Sequence, residues 1–318
     1  MIVALTLALS VTGSSAAGEP CTQRGLLDPA YCDEDGDLVA DLPAEEDRWA
    51  DPATIVVSLG RVSDPEVRAA AWQPLLERLE AAIGRDVTLV EHRSAVAQIA
   101  AMRAGEVHVA AFGPQVVPFA VNLGGAVPFA VMANEEGGFG YRVRWYARAG
   151  SGIAGVEDVR GRLVAHVTAG SYSGNAAPTA LLGILGLVAG IDYETTFTGS
   201  HQRSMLALAA GEVDVAVVES NAADRMVERR QVDADTLVVV HESGRIPTTA
   251  YVLAHDLHPD LANALRAAFL EARIDGEGMA DLYGSAAARF VAITYADDWE
   301  VMREIQRYEQ VEYTPSNL

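Results

Sequence analysis

Two serines set among glycines, in Thr168-Ala169-Gly170-Ser171-Tyr172-Ser173-Gly174-Asn175, have the types and spacing to hold an anion. They follow an apolar run, Leu163 to Val167, and precede Pro178, Leu181, Leu182 and Leu185, which recur at helical spacing. The turn therefore leads from a strand into a helix start. Unpaired N–H groups and the positive end of the helix dipole point outward there, and the hydroxyls of Ser171 and Ser173 add donors. Taken alone, the same pattern is also an ordinary serine cap.

Catalysis is the competing chemistry. Gly170-Ser171-Tyr172-Ser173-Gly174 imitates a nucleophile elbow, but that motif requires serine at its centre, where Tyr172 stands. His201 could face a serine, with Asp214 or Glu219 to orient it. Oriented donors without an activated nucleophile nevertheless make a binding site, so the chain is not expected to be an enzyme.

The elements that must place this turn alternate between strand and helix. Ile55 to Leu59 is a β-branched run. Pro65 to Ile83 follows as a helix with Val67, Ala71, Leu75, Leu79 and Ile83 on one face and Gly84 as its stop. A strand at Val87 to Val90, a helix at Ala95 to Arg103 and a strand at Val107 to Phe112 continue the α/β winding. No G-x-G-x-x-G follows the first strand and no Walker lysine motif occurs, which argues against nucleotide cofactors. A short repeat, Ala104-Gly105-Glu106-Val107-His108-Val109-Ala110 and Ala210-Gly211-Glu212-Val213-Asp214-Val215-Ala216, follows a helix and leads into a strand each time. It predicts two lobes with a small sheet apiece. A chain of 318 residues, 50% hydrophobic, is long enough for two cores. The crossing between lobes is expected around Gly137-Gly138-Phe139-Gly140-Tyr141, the strand-like Arg142 to Ala147, and Gly150-Ser151-Gly152.

The net charge of −21 excludes a basic stripe for nucleic acid and argues against an anionic membrane surface. It does not exclude a small anion, because distant carboxylates are screened within about 8 to 10 Å while oriented N–H groups act at contact. Ile2 to Val11 with Ser15-Ala16-Ala17 reads as an export signal over residues 1–17, with no direct membrane insertion after cleavage. Residues 18–53 form an acidic extension in which Cys21 and Cys32 are expected to pair. Asp33, Asp35, Asp37 and Asp41 alternate around Gly36. A structural calcium loop and a solvated acidic linker both fit that spacing. Ala44 to Pro52 is charged and aperiodic, as a linker would be.

In combination, Met102-Arg103-Ala104-Gly105, Ala111-Phe112-Gly113-Pro114, Gly140-Tyr141-Arg142, Gly150-Ser151-Gly152-Ile153, the serine turn, Gly199-Ser200-His201 and Ile246-Pro247 resemble the phosphate, phosphite and phosphonate-binding proteins of ABC importers. The similarity runs from about Thr54 to about Leu270. It implies a type II periplasmic binding protein fold, α/β and two-lobed, each lobe a small sheet flanked by helices with the ligand cleft between. Residues 54–147 with 248–318 would form lobe 1 and residues 148–247 lobe 2. The implied function is extracytoplasmic capture of a phosphorus oxyanion by a monomer that delivers it to a membrane permease, with no cofactor required. A sensor presenting the ligand to a membrane histidine kinase is the alternative.

Position by position, the resemblance implies that Ser171, Tyr172 and Ser173 hold the phosphorus oxygens, with Tyr172 in place of a threonine. His201 reaches the same oxygens, Tyr141 lines the pocket, and Thr248 and Thr249 lie near the crossing. A second pocket tyrosine is missing, since Ala95 stands at its place beside Ser94. Members that bind 2-aminoethylphosphonate clasp its ammonium with two carboxylates, and the matching positions here are Asn221 and Thr249. Neither carries a charge, and an unpaired buried ammonium is costly, so phosphite, phosphate or a non-amino alkylphosphonate is the expected ligand.

Overall fold

The computed structural model describes residues 21–60, 65–274 and 288–318; the expected export signal, residues 1–17, lies outside the described residues. Strand β1 (Thr54–Leu59) is followed by α1 (Pro65–Ile83), β2 (Asp86–Glu91), α2 (Ala95–Arg103), β3 (Val109–Phe112), α3 (Val117–Gly124) and β4 (Ala126–Ala133). The second half of the winding is β5 (Val143–Arg148), β6 (Leu163–His166), α4 (Ala177–Ile184), β7 (Glu194–Phe197), α5 (His201–Ala210), β8 (Val215–Glu219), α6 (Ser220–Glu228) and β9 (Leu237–Glu242). The chain returns through β10 (Ala250–Ala254), α7 (Pro259–Glu271), β11 (Arg289–Ala292), α8 (Tyr295–Asp298) and α9 (Glu300–Tyr308).

Two sheets result, with orders β11-β4-β10-β3-β1-β2 and β7-β6-β8-β5-β9. In each, three parallel strands run second, first, third (β2-β1-β3 and β7-β6-β8), and a strand that arrives from the other lobe is inserted antiparallel beside the third. This is the type II periplasmic binding protein arrangement. Parallel strands demand crossover helices, which cover the middle of each sheet, so β3, β8 and β10 are almost wholly buried while the edge strands β7 and β9 are largely exposed. The short repeat marks equivalent points of the two lobes. Gly105 and Gly211, with φ of 72° and 80°, end α2 and α5. Glu106 N–H then bonds Ala101 O, and Glu212 N–H bonds Ala207 O, each at 2.9 Å, before the third strand starts.

The lobe boundary differs from the sequence expectation. Strand β5 pairs with β8 and β9, so a border after residue 147 would cut it from its own sheet. The chain leaves the first sheet after β4 and enters the second before residue 143; it returns between β9 and β10. These two passages touch, with Tyr141 N–H on Ile246 O at 3.0 Å and Ile246 N–H on Tyr141 O at 2.7 Å. Gly140, at φ 68°, has no room for a Cβ because the Ile246 carbonyl lies against it.

One continuous core runs through both lobes and includes the fully buried Trp72, Trp145 and Trp299; a smaller one, with Met205 and Leu208, lies under α5. The C-terminal segment ties the lobes together. Trp299 Nε1 donates to Pro114 O at 3.0 Å and Gln306 Nε2 to Gln115 O at 3.1 Å, while Tyr308 of α9 covers Gly183 of α4. Cys21 and Cys32 form the expected disulfide. The stretch 44–52 is no free linker, because Ala50 N–H bonds Asp256 O at 2.7 Å and Trp49 packs edge-on to His258.

Candidate oxyanion site

Strand β6 stops at His166, and Val167 N–H bonds Gly174 O at 3.0 Å, folding the serine turn back over the strand end. Gly174 packs on the Val167 side chain, where a Cβ would collide. The turn then opens α4 as a wide π-helical turn, Tyr172 to Ala176, in which Ala176 N–H reaches Ser171 O at 3.0 Å. Such turns often mark functional sites. Ser171 Oγ accepts the Gly174 N–H at 3.1 Å, which leaves its own proton free to donate. The N–H groups of Tyr172 and Ser173 fall in the first turn and have no intrahelical acceptor.

His201 begins α5 behind Gly199, at φ 93°, and Ser200, whose hydroxyl caps Arg203 N–H at 3.1 Å. Its Nδ1 accepts the Glu219 N–H at 3.3 Å, and its Nε2 lies 3.0 Å from Ser173 Oγ. The first bond assigns the tautomer with the proton on Nε2. Burial lowers the pKa of this histidine, so it is neutral and displays one N–H beside the serine hydroxyl. Tyr141 lies beside them; burial, then the charge of Glu219, raises its pKa and keeps it a donor. The structure thus brings Ser171, Ser173, His201 and Tyr141 together.

The same arrangement lacks the orienting carboxylate of a triad. A triad histidine is oriented by a carboxylate, whereas Nδ1 of His201 faces the Glu219 backbone N–H. Asp214 is occupied elsewhere, accepting Leu163 N–H at 3.0 Å.

Tyr172, in the place of the family's threonine, keeps its hydroxyl away from the serines. Its hydroxyl donates to Met302 Sδ of α9 at 3.4 Å, so only its backbone N–H remains with the serines. Burial, followed by the proximity of Tyr141, raises its pKa. Asn221 Nδ2 donates to Gly140 O at 3.2 Å and lines a cleft of about 630 Å³ together with Tyr141, Thr248 and Thr249. Arg142, Arg144, Arg225 and Arg245 line it too and were not anticipated. Arg225 was legible as the residue one helical turn beyond Asn221. On the lobe 1 side, Ser94, Ala95 and Gly113 border a smaller hollow with His92, whose Nδ1 lies 2.8 Å from Ser58 Oγ.

In the acidic extension, one carboxylate oxygen from each of Asp33, Asp35 and Asp37 lies within 4.8 Å of the others, a group that Asp41 does not join. Asp33 accepts Gly36 and Leu38 N–H bonds, and Asp41 accepts Glu34 N–H at 2.7 Å, so these side chains also shape the loop. Burial, and then neighbouring carboxylates, hold the Asp37 and Asp41 carboxyls above their ordinary range.

A family model for the periplasmic substrate-binding proteins of phosphonate ABC transporters matches residues 61–299. The phosphate-import protein PhnD of Mycolicibacterium smegmatis is 29% identical over 231 residues, 69% of this chain and 72% of that one. Among solved structures, XAC2383 from Xanthomonas citri bound to chloride superposes with a TM-score of 0.53 at 16% identity, covering 81% of this chain and 99% of that one. A TctC solute-binding protein from Polaromonas does so with a TM-score of 0.53 at 12% identity, covering 82% and 98%. Both likenesses concern the fold alone.

Proposed function

Because the chain belongs to the family of periplasmic substrate-binding proteins of phosphonate ABC transporters, we propose that it captures phosphite, phosphate or a non-amino alkylphosphonate for a membrane permease. The family consists of transport proteins, not enzymes. No described helix is long and apolar enough to cross a membrane. Export by a leader in residues 1–17 and action as a monomer belong to the same proposal.

One observation carries the ligand class: four side-chain donors, Ser171, Ser173, His201 Nε2–H and Tyr141, gather at the carboxyl ends of the second sheet's strands with two first-turn N–H groups. An anion there finds donors already oriented, and none of them costs a buried counter-charge. In lobe 1, His92, Ser94 and Gly113 line a separate hollow at the ends of that lobe's strands. Ligand bound between the lobes favours the closed arrangement that a permease distinguishes from the open one. Asn221 and Thr249 leave an ammonium without a partner, which disfavours 2-aminoethylphosphonate.

Calorimetry with phosphate, phosphite, methylphosphonate, 2-aminoethylphosphonate, sulfate and arsenite tests the reading. Micromolar or tighter binding of a phosphorus oxyanion is expected. A protein that binds none of the panel, or binds sulfate best, sinks it.

A further inference from the structure

The cleft beside the phosphorus seat has a charge pattern that a compact oxyanion does not use. Its four arginines, Arg142, Arg144, Arg225 and Arg245, are accompanied by no lining carboxylate, in a chain whose net charge is −21 and whose 23 basic residues are all arginine. Arg142 and Arg144 are neutralised from behind by Glu242, and Arg144 also by Asp224. Arg225 and Arg245 have no salt-bridge partner among the described residues.

Both free guanidiniums are placed for use. Arg225 follows Asn221 by one turn of α6 and shares its face. Its charge reaches His201, where it opposes protonation of the ring. Arg245, on the return passage, lies over the Phe139 ring at 4.5 Å, which restrains a side chain that otherwise swings freely. The volume points the same way. Pockets of about 300 to 1,000 Å³ take organic molecules of drug size, and this cleft, at about 630 Å³, exceeds what a bare oxyanion fills.

We propose that the cleft takes a phosphonate whose organic substituent ends in a carboxylate, with phosphorus at Ser171, Ser173, His201 and Tyr141 and the carboxylate against Arg225 and Arg245. This rests on the phosphorus seat described above and names its substrate class. A guanidinium presents two parallel N–H donors that match a carboxylate, so the pair selects both charge and shape. The positions where a charged clasp for an ammonium would stand are neutral, and the two guanidiniums that line the cleft without an ion-pair partner among the described residues have the opposite sign. Together these features reverse the electrostatic preference of the substituent pocket.

Calorimetry on the full chain compares 3-phosphonopropionate with ethylphosphonate, which differ in the carboxylate. The wild type is expected to bind the carboxylated ligand about tenfold tighter or more, as one charge-assisted bidentate pair allows. In the double variant Arg225→Gln with Arg245→Gln the ratio is expected to fall to about one, with thermal melting used to confirm that the variant folds. A measurement on the wild type alone stands beside it: the advantage shrinks as sodium chloride rises from about 50 to about 500 mM, because exposed charges are screened. Equal affinities in the wild type, an advantage indifferent to salt, or a ratio that survives in the folded double variant overturns the proposal. Failure of both phosphonates to bind, together with phosphate and phosphite, removes the seat itself and the proposal with it; binding of those oxyanions with no carboxylate preference leaves the seat standing and refutes only the inference.

Discussion

Each lobe holds a serine–histidine pair near the ends of its parallel strands, and only one of the two is built to meet a ligand. In lobe 1, Ser58 is the penultimate residue of β1, wholly buried, with its hydroxyl 2.8 Å from His92 and its carbonyl bonded by Gln98 Nε2 at 3.0 Å. In lobe 2, Ser173 lies in the first turn of a helix, half-buried, 3.0 Å from His201. The residue types and distances are nearly the same. Backbone context separates them: a hydroxyl inside a strand is surrounded by the sheet, whereas a hydroxyl on a helix start shares its space with N–H groups that have no acceptor. The first pair is a strut for His92, and the second is a donor array.

The largest expected effect sharpens this contrast by changing ligand charge without touching either pair. Wild-type protein should bind 2-aminoethylphosphonate more weakly than methylphosphonate, because the ammonium is desolvated without a partner at a penalty of roughly several kcal/mol. Asn221→Glu with Thr249→Asp should reverse the order, and calorimetry of the two ligands on both proteins reads it. A wild type that prefers the amino compound refutes the assignment of these two positions.

Next in size is the loss of a donor in lobe 2. Ser173→Ala should weaken phosphate, phosphite and methylphosphonate together by about 1.5 to 3 kcal/mol, one charge-assisted hydrogen bond. A loss confined to one of these anions would show that Ser173 reads the substituent rather than the phosphorus oxygens.

Removing the lobe 1 hydroxyl breaks or supports the comparison from the other side. Ser58→Ala should cost about 1 to 2 kcal/mol of stability in chemical unfolding, since it strips a buried partner from His92, while anion affinity changes little. An affinity loss matching that of Ser173→Ala would mean that both pairs bind ligand.

The smallest effect concerns the acidic extension, far in kind from the donor array. Chelation of calcium should leave anion affinity unchanged. Limited proteolysis between Cys32 and Pro52 with and without chelator asks whether the loop holds an ion, and calcium-indifferent cleavage identifies a turn held by its own N–H bonds and the Cys21–Cys32 disulfide.

The sequence by itself determined whatever depends on near neighbours. The bounds of α1 and α2, Pro65–Ile83 and Ala95–Arg103, follow from apolar spacing and from the stop at Gly84. The equivalence of β3 and β8 follows from a shared Ala-Gly-Glu exit whose positive φ and 2.9 Å bond are local. The serine turn could be recognised as a strand-to-helix junction for the same reason. Only the tertiary structure decided what depends on residues far apart in the chain. The sheet to which β5 belongs is set by pairing with β8 and β9, 68 to 98 positions away in sequence along the ladders. The direction of Tyr172 is set by Met302, and the proton on His201 by the backbone of Glu219. The gathering of Arg225 and Arg245 beside Asn221 required two passages of chain to meet at Tyr141 and Ile246. Spacing along a chain fixes which residues share a helix face or a turn; which faces confront one another is decided when the lobes pack, because burial and charge pairing act between segments that no local pattern connects.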